Sequence, residues 1–401
     1  MDRVEECLQG FFDADCTYLA VMSKPLHICI TLMDDPVYKQ SSIRVADALG
    51  RAGYVVTLIG RRLEEGLAET GSDKGQGPAN FRRVRFRTVF GRGKFFYAEM
   101  NLRIFFYLLV HKTDLVCAVN LDTILPVWAI SVLKRIPRMY DARELFTELA
   151  EVVARPGVQR TWLWVERTMV PRFPNGYAVC QSIADELHKR YGVRYAVIRN
   201  VTVLRHPVPG AHPLGKPYLL YQGAVNHGRG LEVLIPAMRE VALPLVVCGT
   251  GNYMEQSQAL VRHHGLEDRV LFTGQLSPQE LIRYTYHAYA GINLVAREGL
   301  NQYFSLPNKL FDYIHAGLPQ VAMDYPEYRR VQEAFEVAVL IPDVTETEVV
   351  GAIGRLCSDR ALYERLRNSC REARLVYNWQ AEEPGLLRVY EQGLTGKSYL
   401  P

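Results

Sequence analysis

Lys309 and Asp312 stand three residues apart within Phe-Ser-Leu-Pro-Asn-Lys-Leu-Phe-Asp-Tyr-Ile-His-Ala-Gly-Leu, residues 304–318. A cation and a carboxylate at that spacing suit a nucleotide. Ser305, Pro307 and Asn308 make a turn that opens a short helix, and the three-residue spacing sets Lys309 and Asp312 on roughly one face. The helix stops at Gly317, and Pro319 leads into the apolar strand Gln320–Met323. Unpaired N–H groups at a helix N-terminus, here near Ser305–Leu306, attract an anion, and Lys309 adds a full positive charge. One turn further in, Asp312 can accept hydrogen bonds from a pair of sugar hydroxyls. Phosphate beside ribose describes a nucleotide. A buried amphipathic helix with a solvated Lys–Asp pair would carry the same letters, so both readings stand for this segment alone.

Two glycine turns add weight to the first. Tyr218–Tyr221 reads as a strand, followed by Gln222-Gly223-Ala224-Val225-Asn226-His227-Gly228-Arg229-Gly230 and a helix from Leu231 to about Val241. A glycine-rich turn between strand and helix lets backbone approach a diphosphate, and Arg229 between Gly228 and Gly230 can grip it through two parallel hydrogen bonds. A second such turn, Cys248-Gly249-Thr250-Gly251-Asn252, follows the strand Leu245–Cys248. Were a diphosphate held there to act as a leaving group, its developing charge would have to be neutralised. Arg229 and Lys309 are the candidates for that catalytic role; a surface salt bridge for Arg229 and a solvated helix position for Lys309 are the plain alternatives.

With these motifs in place the chain resembles the retaining GT-B glycosyltransferases of the large family four. The resemblance covers roughly residues 26–395 and rests on Tyr-Gln-Gly with Gly-Arg-Gly-Leu-Glu at 221–232, Gly-Thr-Gly at 249–251, Phe-Thr-Gly at 272–274 and Leu-Pro-Asn-Lys-Leu-Phe-Asp-Tyr at 306–313. Tyr-Asp-Ala-Arg-Glu-Leu-Phe at 140–146 is similar to the Asp-x-His-Glu segment of related enzymes. The resemblance implies a nucleotide-sugar donor bound by Gly228, Arg229, Gly230, Gly249, Gly251, Gln275, Leu276, Ser305, Leu306, Asn308, Lys309 and Asp312, with Asp312 on the ribose. It implies a glycan or lipid-linked acceptor on the side of Asp141, Arg143 and Glu144. It implies neither a cofactor nor a metal, and no protein nucleophile, because the departing phosphate can take the acceptor proton. Three positions depart from the family pattern. Phe304 stands where an acid commonly holds the transferred sugar, and Glu298, the nearest acid, is the substitute we expect. Ala224 replaces an arginine, and Arg143 replaces a histidine.

At 401 residues the chain has room for two domains. Its 48% hydrophobic and 22% charged residues are globular values, and a net charge of +4 is too small for a dedicated nucleic-acid binder. The cysteines at 7, 16, 29, 117, 180, 248, 357 and 370 include no Cys-x-x-Cys pair, so neither zinc nor a redox dithiol is expected. Cys29, Cys117 and Cys248 read as small core residues. No secretory signal is evident, and the longest apolar run, Ile104–Val110, is far short of a membrane span, so a cytoplasmic location is expected.

Strand and helix signals alternate twice. The first series runs through Leu26–Thr31, a helix near Ser42–Arg51, Tyr54–Ile59, Leu115–Val119, a helix over Pro126–Lys134, Arg138–Asp141 and Gly176–Val179. The second begins at 218, with strands near 218–221, 245–248, 270–273, 291–294, 320–323 and 339–341. Between them Pro207, Pro209, Pro213 and Pro217 mark a linker. The expectation is an α/β GT-B fold: an extension at 1–24 with Met22 as a possible alternative start, a Rossmann-like acceptor-side domain at 25–205, a linker at 206–217, a Rossmann-like nucleotide-sugar domain at 218–378 facing the first across a cleft, and a crossover helix and tail at 379–401. A nicotinamide-dependent oxidoreductase is a competing reading of Gly249-Thr250-Gly251, but Met254 breaks the rest of that fingerprint. A sugar epimerase also fits the fold, and a binding protein without activity would suit Phe304 and Ala224. Finally, Arg82, Arg83, Arg85 and Arg87 precede Phe95-Phe96-Tyr97 and Phe105-Phe106-Tyr107, a basic and aromatic combination suited to an anionic membrane surface. If those aromatics form the domain core instead, the arginines merely solvate a strand.

Overall fold

The computed structural model describes residues 24–63, 81–205 and 210–396. The extension expected at 1–24 (apart from Lys24), the glycine-rich stretch at 64–80 and the prolines at 207 and 209 lie outside the described residues. Seven strands form the first sheet: β1 (His27–Thr31), β2 (Val55–Arg61), β3 (Phe81–Phe86), β4 (Leu115–Val119), β5 (Arg138–Ala142), β6 (Asn175–Ala178) and β7 (Ala196–Val197), in the order β3-β2-β1-β4-β5-β6-β7. Six form the second: β8 (Leu219–Gln222), β9 (Leu245–Cys248), β10 (Val270–Gly274), β11 (Ala290–Asn293), β12 (Gln320–Met323) and β13 (Ala338–Ile341), in the order β10-β9-β8-β11-β12-β13. Pairing is parallel, with His27 opposite Val55 in one sheet and Leu219 opposite Leu245 in the other.

Parallel strands need crossovers, and helices occupy the intervals. Each sheet reverses direction beside its first strand, β1 lying between β2 and β4 and β8 between β9 and β11. Helices therefore cover both faces, and the strands carry unbroken apolar runs rather than alternation: Leu115–Val119 and Leu245–Cys248 are buried at every position. Both sheets are Rossmann-like, as the alternation in the sequence predicts. Cys29, Cys117 and Cys248 are buried free thiols within strands.

Two compact units divide the described chain: one runs to Cys117 and includes Ala129–Pro137, the other holds Ala118–Trp128 and everything from Arg138. The second unit thus contains the whole second sheet together with β5, β6 and β7. Its last helix, Trp379–Thr395, is capped by the Asn378 side chain and returns to the first sheet, where the Tyr390 and Tyr177 rings lie 6.1 Å apart. Glu382 accepts from the Arg199 N–H and guanidinium, both at 3.0 Å.

Two expectations are corrected. The helix from Leu231 ends at Ala237 rather than near Val241. Pro236 has no N–H for the helical ladder, and the chain beyond it tightens into three-residue turns, Arg239 N to Pro236 O and Glu240 N to Ala237 O. The arginine row at 82–87 is only partly a solvated one. Arg85 donates to both oxygens of buried Asp35, at 2.9 and 2.7 Å. Burial pushes the Asp35 carboxyl up, but Arg85 and the Leu63 and Val37 N–H groups outweigh it and hold it below its ordinary range. Arg83 stacks on the Phe81 ring, and Phe96 is buried.

Candidate active site

Gly223 and Gly249 follow β8 and β9 and adopt φ values of +121° and +141°. A Cβ on Gly249 would fall 1.9 Å from the Gly223 carbonyl oxygen, so the two turns pack backbone on backbone in a way only glycine permits. With Ala224, Thr250, Gln275 and Leu276 they line a cavity of about 270 Å³. Gly251 lies against the Val225 carbonyl, and Gly230 forms the N-cap of the Leu231–Ala237 helix.

Beside this cavity two cations meet. Tyr221 donates its hydroxyl proton to the carbonyl of Ala224, a cavity residue, at 2.7 Å. On the face of the same ring lies Lys309 Nζ, 4.3 Å from its centroid. Lys309 is only 9% exposed. Burial, and then the nearby Arg229 charge, push its ammonium down to about 7. Arg229 is half-buried, and its field also reaches the Tyr221 and Tyr328 hydroxyls. Among the described residues neither cation has a carboxylate partner. A buried charge without a counterion is costly, so this spot is prepared for an anion.

Lys309 belongs to the helix Asn308–Ala316, whose N-cap, Pro307, offers no side-chain cap. Its first N–H groups are left without one. Gly317 ends the helix at φ +66°, as expected. Ser305 Oγ donates to the Gln302 carbonyl at 2.8 Å, Leu306 is half-buried, and exposed Asn308 pairs with Asn200 at 2.7 Å. Asp312 meets the end of β8 and the segment of Thr202. Its Oδ2 accepts from Gln222 Nε2 at 2.9 Å and its Oδ1 from Thr202 Oγ1 at 2.6 Å.

Glu298, in the loop after β11, lies directly over Gly228. A Cβ on Gly228 would come within 2.7 Å of its carboxylate, so the turn holding Arg229 leaves space for that acid. The Ala296 N–H donates to the Gly228 carbonyl at 2.9 Å and joins the two loops. His227, which the sequence reading passed over, has Nδ1 3.5 Å from Glu298 Oε1 and 3.6 Å from Glu232 Oε1. Its only signal was its place in the glycine turn, two residues before Arg229. Phe304 joins an aromatic row, its ring 5.6 Å from that of Tyr303.

After β5, Arg143 Nε and Nη2 both donate to Asp141 Oδ2, at 2.9 and 2.7 Å. Asp141 is buried, and its Oδ1 has no hydrogen-bond partner among the described residues. Asn120, also missed from sequence, holds this group together: its side chain accepts from the Arg143 N–H at 3.2 Å and donates to Glu144 at 2.8 Å. Asn120 adopts φ +60°, a conformation that asparagine tolerates better than most residues and that its letter alone does not reveal. The Leu145 N–H donates to Asn301 Oδ1 at 2.9 Å, tying this loop to the one that carries Glu298. Among the described residues no group of three His, Cys, Asp or Glu is arranged to hold a metal, and no helix is long and apolar enough to cross a membrane.

Known proteins resemble this chain in part of its sequence and in its fold. The family described as Glycosyl transferases group 1 matches residues 205–373. The chain is similar to a phosphatidyl-myo-inositol mannosyltransferase of Mycobacterium leprae (strain TN), 26% identical over 192 residues that cover 46% of this chain and 49% of that one. The chain spans about half the length of the curated relatives it matches. Among solved structures, sucrose-phosphate synthase from Thermosynechococcus elongatus has a TM-score of 0.78 at 18% identity, over 93% of this chain and 100% of that one. Anabaena HepE in complex with UDP and glucose has a TM-score of 0.72 at 14% identity, over 92% and 100%. At such identities the likeness shows the fold alone. Residues 205–373 match the glycosyl transferases group 1 family, and the chain that carries them has the GT-B fold.

Proposed function

We propose that the protein is a glycosyltransferase. It takes a hexosyl or N-acetylhexosaminyl group from a nucleotide-diphosphate sugar and delivers it, with retention, to a glycan or lipid-linked acceptor in cell-envelope biosynthesis, at the cytoplasmic face of a membrane. One observation carries the donor half of this reading: buried Lys309 lies on the Tyr221 ring with the Arg229 charge nearby, neither with a carboxylate partner among the described residues, beside the glycine-lined cavity. A diphosphate answers both charges at once. Two of the relatives support the same chemistry, one solved with UDP and glucose and one named for mannosyl transfer to a phosphatidylinositol.

In this mechanism the bond from the anomeric carbon to the diphosphate oxygen breaks while the acceptor oxygen bonds to the same face of that carbon. The acceptor proton passes to the departing phosphate. Arg229 and Lys309, with the N–H groups after Gly228 and near Ser305–Leu306, neutralise the developing charge in place of a metal ion. Gln275 and Leu276 flank the base in the cavity, and Asp312 takes the ribose hydroxyls, exchanging its contacts with Thr202 and Gln222 for them. Glu298, over the Gly228 turn, holds the sugar where Phe304 has no carboxylate. Asp141, through its free Oδ1, meets the acceptor side together with Arg143 and Glu144.

A panel of nucleoside diphosphates and their sugars tests this by thermal shift and donor hydrolysis. One nucleotide should stabilise the protein, by about 2.7 kcal/mol at 100 times its Kd, and its sugar conjugate should be slowly hydrolysed. Stabilisation without turnover by any donor would indicate a binding protein instead. No stabilisation at all would remove the donor reading.

A further inference from the structure

The helix Gly93–Val110 in the first unit has two apolar sides. Phe96, Met100, Ile104 and Leu108, four residues apart, are buried. Phe95, Leu102, Phe106, Leu109 and Val110 face outward, Phe95 and Phe106 each 58% and Val110 75% exposed. At the start of this stripe the Phe90 ring lies 5.4 Å from Phe95, fixed by the Val89 and Phe90 N–H groups on the Glu99 carboxylate. At its end Lys134 Nζ donates to the His111 carbonyl at 2.7 Å, and Val132 and Leu133, just before that lysine, are exposed as well. Of the 17 large apolar side chains exposed among the described residues, seven are on this helix or are Val89 and Phe90, tied to it. Ordinary solvated helices do not concentrate apolar area in this way.

Its margin is basic. Arg87, Arg92, Lys94, Lys112 and Arg135 are exposed around it. The carboxylates nearby are already engaged, Glu99 by two N–H groups and Arg103, and Asp114 by the His27 N–H at 2.7 Å.

We infer that this face seats on an anionic lipid bilayer, the stripe entering the headgroup–acyl boundary and the cations meeting phosphodiester headgroups. Charge argues against a second copy of the chain as the occupant, because two such faces pressed together would set cations against cations. The inference rests on the lipid-linked reading of the acceptor for its purpose, and it moves the membrane contact from the arginine row at 82–87 to the outer side of the Gly93–Val110 helix.

Flotation with vesicles of phosphatidylcholine, alone or mixed with phosphatidylglycerol, tests it at low and high salt. The protein should float with the mixed vesicles, less with phosphatidylcholine alone, and less as salt rises. Leu102→Ser with Phe106→Ser should weaken partitioning by about a hundredfold, roughly tenfold for each apolar side chain, with unchanged melting temperature. Lys94→Glu with Arg92→Glu should flatten the salt dependence. Failure to float at low salt overturns the inference. So does equal flotation of the double-serine variant, or a dimer in solution that this variant dissolves. Nucleoside diphosphate binding is measured on the same samples. If the nucleotide binds and vesicles do not, only the membrane face is wrong; vesicle binding without nucleotide binding removes only the donor reading.

Discussion

Lys309 carries the sharpest consequences at the scale of the residue. Its folded pKa of about 7 lies below the 10.5 of an exposed lysine. Between those values the unfolded chain binds the extra proton, so the ligand-free protein should gain stability as pH rises from about 7 toward 10.5. Lys309→Met should abolish that rise in urea-denaturation profiles. A bound diphosphate favours the charged form, so binding above pH 7 takes up a proton and affinity falls as pH rises further. Calorimetry in buffers of different ionisation heat would read that uptake directly; zero uptake at pH 8 would show that Lys309 does not meet the phosphates. Asp312 makes a separate prediction. A hydrogen bond to a charged group contributes about 1.5–3 kcal/mol, so Asp312→Ala should weaken nucleoside diphosphate binding roughly ten- to a hundredfold. Affinity for inorganic pyrophosphate should stay near normal. An equal loss for both ligands would mean that the substitution disturbs the helix, through Thr202 and Gln222, rather than a ribose contact.

At the scale of the element, the glycine turn is shaped by the loop above it. Gly228→Ala places a methyl group against the Glu298 carboxylate and strains a residue at φ +71°. Turnover should fall at least about tenfold, as it should in Glu298→Gln, while nucleoside diphosphate affinity holds near normal in the latter. Wild-type turnover in Glu298→Gln would separate Glu298 from the sugar. The turns themselves were legible in the sequence because glycine is the residue such backbone contacts require. The buried strands were legible because parallel strands covered on both faces read as apolar runs. The rest depended on partners distant in sequence. β3 looks solvated until Asp35 is seen to hold Arg85, 50 residues away. β7 is only two residues long, too short for any period to show. Glu298 could be named from sequence as the nearest acid, but its position over Gly228 is a matter of tertiary packing, and nothing in the letters of Asn120 or His227 announces their contacts.

At the scale of the whole molecule, the second sheet, the strands β5–β7 and the C-terminal helix form one compact unit, and the helix packs on β6 along a buried seam where the Tyr390 ring lies 6.1 Å from Tyr177. Tyr390 is fully buried against this seam, so Tyr390→Ala should cost about 3–5 kcal/mol, the range for deleting a large aromatic from a core. A urea midpoint close to wild type would show that the helix is a loose appendage. The fold alone fits many activities, and the claim that this one is a donor-sugar transferase rests on the two cations beside the glycine-lined cavity. Calorimetric titration of the wild type, Arg229→Ala and Lys309→Met with a nucleoside diphosphate and with its bare nucleoside tests that claim most directly. The wild type should bind the diphosphate far more tightly than the nucleoside, and each substitution should weaken diphosphate binding about tenfold or more while nucleoside binding stays the same. Equal losses for both ligands, or no loss for either, would contradict the claim.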